Sequence, residues 1–281
     1  MSTVMTLSDA ERIVRLAILD HYGVRWSLET FARDLLQNFF DATPDFRDVH
    51  ILVDRTAGTI EIRGPVVFDI ELLAYIGATT KHDGRTAGGF GEGFKICALV
   101  GVRDFDLHMA AGSGALELEV FLDPVQLGRE LCYRVRPRAD PFAGAFVRLE
   151  ACSPECCEVF ERAKGNFRHP ENPALRVPLI EAPEAGVALY PGPQRGVGEI
   201  YYRRQLRGSI RYYSVASSRP LTLVHDGPID ALEGDRDRRD LPARPIAHAI
   251  GMKLAAEALH RALLYLEPYW EQGCETLTGL I

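Results

Sequence analysis

The sequence predicts an α+β fold: a two-layer sandwich of a mixed, mostly antiparallel sheet with helices on one face, followed by a C-terminal α+β region. Three observations predict it. Segments 105–110, 116–122, 131–137 and 145–150 alternate or run apolar, as strands of one sheet do. Val49 to Asp54 and Thr59 to Arg63 read as a β-hairpin around Ala57-Gly58. Two segments, one opening at Ser27 and one at Phe94, carry apolar residues at helical spacing.

Taken in order, Ser8 is a good N-cap with Glu11 at the N3 position, which predicts a first helix. It carries Ile13, Leu16, Ala17 and Ile18 to about Tyr22 and ends before Gly23. A second helix starts at Ser27 to Thr30 and runs through Ala42. Residues 70–77 read as a short helix, and 78–90 as a loop rich in Gly, Thr and charge. The apolar helix from Phe94 and the four strands complete a first region, residues 1–150.

Residues 151–281 form the second region. Stretch 165–196 is rich in Pro and Gly and predicts an extended connector with short strands. Residues 198–204 and 209–214 read as a hairpin in which Arg and Tyr interleave. That composition suits nucleic acid, and equally a twisted sheet with cross-strand Tyr–Arg contacts. Asp235 to Asp240 alternates in charge, as a solvated helix start does. Residues 245–266, with Ile246, Ile250, Leu254, Leu259, Leu263 and Leu266, predict one amphipathic helix stopped by Pro268.

The bulk composition narrows the function classes. The chain has 281 residues, 47% hydrophobic and 25% charged, enough for a large core. A net charge of −7 argues against a general nucleic-acid coat. No stretch approaches the roughly 20 apolar residues of a membrane span. Met1 to Thr6 lacks the regions of a signal peptide, so a soluble, cytoplasmic protein is expected. The six cysteines are then expected as reduced thiols. Cys152, Cys156 and Cys157, with His169 nearby, match no common zinc spacing. Cys97, on an apolar helix, reads as core.

The chemistry is concentrated in two segments. Gly88-Gly89-Phe90-Gly91-Glu92-Gly93-Phe94-Lys95 is a glycine-rich turn running into a helix. Such a turn approaches a ligand closely, and the unpaired N–H groups of the helix start attract anions, above all phosphate. Lys95 adds a positive charge. Glycine turns before helices are also common without a ligand. Upstream, Asp34, Asn38 and Asp41 are spaced four and three apart, so a helix places them on one face. An Asn carbonyl with waters can hold Mg²⁺, and an acid one turn earlier can activate a water. An ordinary amphipathic helix with solvated polar groups gives the same pattern.

Together these segments resemble the GHKL ATPases, the family of gyrase B, the ninety-kilodalton heat-shock chaperones, histidine kinases and MutL. Asn38-Phe39-Phe40-Asp41-Ala42 resembles the family's N-box, Asn-x-x-Asp-Ala. Ile76-Gly77-Ala78-Thr79-Thr80-Lys81 is similar to the Gly-x-Ser-x-Lys stretch before the ATP lid. Gly89 to Lys95 resembles the second glycine box in the form of MORC- and sacsin-type members. The likeness covers residues 8–150, hairpin included, and implies the GHKL ATP-binding fold.

The resemblance also implies a site. ATP and Mg²⁺ would be the cofactors, with Asn38 holding the metal and Asp34 activating water. Asp41 would support the pocket. The backbone of Gly89, Phe90, Gly91, Glu92, Gly93 and Phe94 would cradle phosphates, with Gly77 and Thr79 before the lid. Lys81 or Lys95 would offset charge. Three positions depart from the family: Arg63 stands where an Asp binds the adenine amino group, Asp34 where relatives carry Glu, and Ala145 where they often carry Thr. Asp69 would be the acid that substitutes in the base pocket, from a rearranged loop. The expected activity is slow Mg-dependent ATP hydrolysis driving a conformational switch, with homodimerisation or engagement of a protein partner on ATP binding. A scaffold that retains the fold with altered base specificity, and a nucleic-acid-associated ATPase, are the competing expectations.

Overall fold

A computed structural model describes residues 11–43, 46–68, 70, 93–169, 172–193, 197–211, 220–227, 229, 241–267 and 279–280. The described chain divides into two compact units, one running through Ala163 and the other from Lys164 onward. Both are α+β.

In the first unit, strand β5 (Gly128–Glu150) is the axis of an antiparallel sheet. Strand β4 (His108–Val125) pairs along one edge of β5 for its whole length. The opposite edge is shared. Strand β1 (Arg12–Leu19) pairs with the first half of β5, from Glu130 to Val135. Strand β3 (Thr59–Gly64) pairs with the second half, from Ala145 to Leu149, and β2 (His50–Asp54) continues outward from β3. The β2–β3 hairpin is the one expected from sequence. Its turn is fixed by Asp54, whose carboxylate accepts from the Thr56 and Ala57 amides, and by Gly58 at φ +61°.

Segment 12–19 is a strand, not the expected helix. Val14, Leu16 and Ile18 alternate as well as Ile13, Leu16 and Ala17 fit a helical stripe, so the sequence permits both. The free edge of β5 decides: Arg12, Ile13, Val14 and Arg15 pair with Val135, Arg134, Tyr133 and Cys132, and a bulge before Leu19 absorbs Ala17 at φ +55°.

Helices α1 (Leu28–Ala42), α2 (Gly93–Asp104) and α3 (Pro154–Arg162) belong to the same unit. Ser27 caps α1, its Oγ accepting from the Thr30 amide at 3.3 Å. Phe31, Leu35, Leu36, Phe39 and Phe40 are buried on α1, as are Cys97, Leu99 and Val100 on α2. They meet the sheet face formed by Ile60, Ile62, Leu118, Val120, Tyr133, Val135, Val147 and Leu149, and this face is the core of the unit. The other sheet face is polar. Glu117 binds Arg136 and Arg138, and Glu119 binds Arg134, across the β4–β5 ladder.

The second unit has a mixed sheet in the order β6 (Ile180–Ala182), β7 (Val187–Pro191), β10 (Leu221–His225), β8 (Val197–Tyr202), β9 (Gln205–Arg211). Pair β8–β10 is parallel and the rest are antiparallel. The expected 245–266 helix is two helices, α4 (Ala243–Gly251) and α5 (Ala256–Leu266). The break follows Gly251, where a Cβ would stand 2.6 Å from the Leu280 carbonyl oxygen. A close backbone approach fixes glycine there, and glycine is a poor helix residue. Ile246, Ile250, Ala262 and Leu266 of these helices are buried against Leu189, Ile200, Leu221 and Leu223 of the sheet. Among the described residues, no helix is long and apolar enough to cross a membrane. The charged run 235–240 and Pro268 lie outside the described residues.

Candidate functional site

Helices α1 and α2 lie side by side and antiparallel. At one end the Phe31 ring rests on Gly101, where a Cβ would be 3.3 Å from the ring carbons. At the other end Asn38 reaches the first residue of α2: a Cβ on Gly93 would be 3.7 Å from Asn38 Oδ1. The orientation of that carboxamide is set by its own helix. Asn38 Nδ2 donates to the Asp34 carbonyl oxygen at 3.1 Å, so Oδ1 is directed at the start of α2. The family-like Asn and the end of the glycine turn, more than 50 residues apart in sequence, therefore meet in space.

The residues around this junction are polar and largely buried. Asp34 is 2% exposed, with Arg33 Nε 3.6 Å from its Oδ1. Asp41 is held by its helix neighbour one turn earlier, Gln37 Nε2 donating to Asp41 Oδ1. Gln37 is itself buried, and among the described residues its Oε1 has no hydrogen-bond partner. In the first turn of α2, Lys95 is 2% exposed and Phe94 lies 6.2 Å from the Tyr133 ring. Tyr133, beneath that turn, has a fully buried hydroxyl with no partner among the described residues, and burial pushes its ionisation well above the ordinary tyrosine range. Gln37 and Tyr133 were not singled out by sequence. Gln37 could have been found from its i, i+4 relation to Asp41; nothing local marks Tyr133.

The structure thus brings together Asp34, Asn38, Gly93, Phe94 and Lys95, with Asp41 further along α1. The remaining sequence-predicted residues, Asp69, Gly77, Thr79, Lys81, Gly89, Phe90, Gly91 and Glu92, lie outside the described residues. So do the expected 70–77 helix, apart from Ile70, and the lid-like loop. Among the described residues no group of three or more His, Cys, Asp or Glu side chains could hold a metal ion.

The base side differs from the expectation in an instructive way. Arg63 was expected to occupy the adenine-binding position. Its side chain lies on the polar sheet face, away from α1 and α2, bound to Glu61 and 5.9 Å from the Phe142 ring. Strand alternation puts Gly64 on the helix side instead. A Cβ there would be 3.0 Å from the Phe39 ring and 3.6 Å from Thr43 Oγ1. Ala145 pairs directly with Gly64 and is buried on the same face. Of these two paired, helix-facing positions, one is a glycine and the other an alanine, and neither carries a hydrogen-bonding side chain.

The Arg/Tyr hairpin of the second unit is a structural element. Strands β8 and β9 join through Arg203 and Arg204, both at positive φ, as a tight hairpin turn requires. Tyr201 and Tyr202 are buried and cannot stack on bases. Tyr201 is engaged with Asn172, Glu199 and the Gly165 carbonyl, each at 3.0–3.1 Å. Tyr212 and Tyr213 lie outside the described residues. Comparison with known protein families and with curated proteins finds no match for this chain.

Proposed function

We propose that the first unit is a GHKL-type nucleotide-binding module that takes ATP with Mg²⁺ at the α1–α2 junction. One observation carries the reading: Asn38 Oδ1 is turned by its bond to Asp34 toward the N-terminus of α2, where the glycine-rich stretch ends. Oxygen ligands suit Mg²⁺, and a helix start suits phosphate. Asn38 would hold the metal, which neutralises phosphate charge when bound. The backbone from Gly89 to Phe94 would bind the phosphates. Lys95, buried in the first turn of α2, supplies positive charge at short range. Asp34 sits one turn before Asn38, where a base for the attacking water belongs.

The Arg33–Asp34 ion pair favours a second reading, nucleotide binding with little or no turnover. A carboxylate held toward a guanidinium is less free to be placed against an attacking water. Gly64 and Ala145 add to this reading a base pocket without the usual acceptor. Titration calorimetry with ATP, ADP, GTP and a non-hydrolysable ATP analogue, each with Mg²⁺, tests both. Adenine-nucleotide binding weakened by Asn38→Ala supports the site, and phosphate release abolished by Asp34→Asn supports hydrolysis. Absence of binding by folded protein to every nucleotide removes the proposal.

A further inference from the structure

At the end of α2 remote from the candidate site, one arginine spends every donor it has. Arg103 lies in the last turn of α2, and its side chain is 5% exposed. Nε donates to Asp104 Oδ1 at 2.7 Å, and Nη2 donates to Asp104 Oδ2 at 2.7 Å. Nη1 donates to the Asp20 carbonyl at 3.0 Å and to the Tyr22 carbonyl at 2.8 Å. Nη2 also donates to the Val24 carbonyl. A guanidinium carries five N–H groups, and these bonds use all five. The three carbonyls alternate along the segment that leads from β1 into α1.

The same segment is tied twice more. Arg25 donates to Asp104 Oδ1, and Asp20 accepts from Nε of Arg129, at the start of β5, at 2.9 Å. Asp104 therefore serves two guanidiniums. Its carboxyl is held below the ordinary carboxylate range, by the Arg103 bond above all.

Phe31 on Gly101 and the buried apolar residues of both helices supply the attraction between α1 and α2. Apolar burial is non-directional, so it holds two helices together without fixing how far one has slid along the other. Directional bonds fix that, and those of Arg103 join the lead-in of α1 to the end of α2. Gly93 lies at the opposite end of α2, about 15 Å along the axis at roughly 1.5 Å per residue.

We propose that Arg103 is a positioning residue for the α1–α2 site. By locking the lead-in of α1 to the end of α2, it sets the axial register that brings Asn38 Oδ1 to the start of α2. The inference rests on the nucleotide reading of that site. Its specific consequence concerns magnesium. A nucleotide held by the start of α2 alone is indifferent to where α1 sits, whereas a magnesium nucleotide, which uses Asn38 as well, needs both helices in register. Arg103 thus governs the affinity gained with Mg²⁺, not the affinity of the metal-free nucleotide. Lysine is no substitute, because a single ammonium cannot reproduce the planar fork.

The test is calorimetry on the full chain. ATP is titrated with Mg²⁺ and with EDTA into wild type, Arg103→Lys, Asn38→Ala and the double variant, and unfolding is followed on the same preparations. Arg103→Lys should lose at least about threefold of the magnesium-dependent affinity, keep the metal-free affinity, and cost nothing further in the Asn38→Ala background. Equal losses with Mg²⁺ and with EDTA, or a loss undiminished in Asn38→Ala, would mean that Arg103 only stabilises the fold, and would overturn the inference. Arg25→Gln changes an exposed side chain on the same carboxylate and should show the same pattern more weakly. It decides the question if Arg103→Lys fails to fold. Wild type that binds no ATP removes the nucleotide reading and this inference with it; binding with an additive double variant removes this inference alone.

Discussion

Both units bury polar side chains, but they use them differently. In the second unit, Asn172 is enclosed and fully engaged: Nδ2 donates to the Gly165 and Phe167 carbonyls and to the Tyr201 hydroxyl, and Oδ1 accepts from the Ala174 amide. Every bond closes a local turn or ties it to the sheet. In the first unit, Asn38 spends only its amino group on the fold and presents its oxygen to the start of another helix. Gln37 beside it leaves its carbonyl oxygen without a partner among the described residues. A buried polar group whose bonds all return to its own surroundings stabilises. One with unused, directed capacity at a helix start is what the proposed nucleotide site would draw on.

Experiments can break that contrast. The largest effect is expected from Asn172→Ala, which orphans several buried groups and should cost about 3 kcal/mol or more in denaturant unfolding. Nucleotide binding should stay unchanged; altered binding would erase the distinction between the units.

Next is the response of the second unit to acid. His225 is buried, its Nδ1 accepting from the Gly227 amide at 3.1 Å. Burial, then the nearby Lys253 charge, pull its pKa down from 6.5 to about 4. The unfolded chain therefore binds a proton in the window where the folded chain does not. His225 contributes stability above pH 6.5 that is lost as pH falls toward 4, as much as ~3 kcal/mol. Glu199 runs the other way: burial raises its carboxyl, so its contribution is lost as pH rises through the acid range. Unfolding followed across pH 4–7 in wild type and His225→Phe checks the first term; an unchanged slope in the variant would rule it out.

Asn38→Ala sharpens the comparison from the other side. Magnesium–nucleotide affinity should fall at least about tenfold, near 1.4 kcal/mol, while stability changes less than it does in Asn172→Ala. Calorimetry and denaturation on one preparation decide between the two outcomes. The smallest effect is expected for Ser27→Ala, which removes the α1 cap and should cost about 1 kcal/mol with little change in nucleotide affinity. A large affinity loss would instead mean that α1 must be rigid along its whole length for Asn38 to be placed.

What was legible in the sequence follows from how local each signal is. The helix start at Ser27, the hairpin turn at Gly58 and the core position of Cys97 are set by near neighbours, and all were read correctly. The strand at 12–19 was not, because its state depends on Val135 to Cys132, more than 110 residues away. The break at Gly251 was not, because Leu280 causes it. Arg63 was assigned to the base pocket from alignment of motifs, whereas the one-residue alternation of β3 turns it to the opposite face. The glycine turn before Gly93 lies outside the described residues.

The length of β5 has a consequence for the order in which the first unit can form. β4 and β5 are joined by two residues, Gln126 and Leu127, so their ladder closes the shortest of loops and can zip as soon as both strands exist. β1 has no strand on which to settle until the first half of β5 is in place, and the β2–β3 hairpin, which can close locally, joins the sheet only through the second half of β5. During synthesis the N-terminal strand must therefore wait, unpaired, until residues 130–135 emerge, several seconds at roughly 5–20 residues per second. The charged residues Arg12 and Arg15, which interrupt the apolar ones, keep that waiting segment soluble.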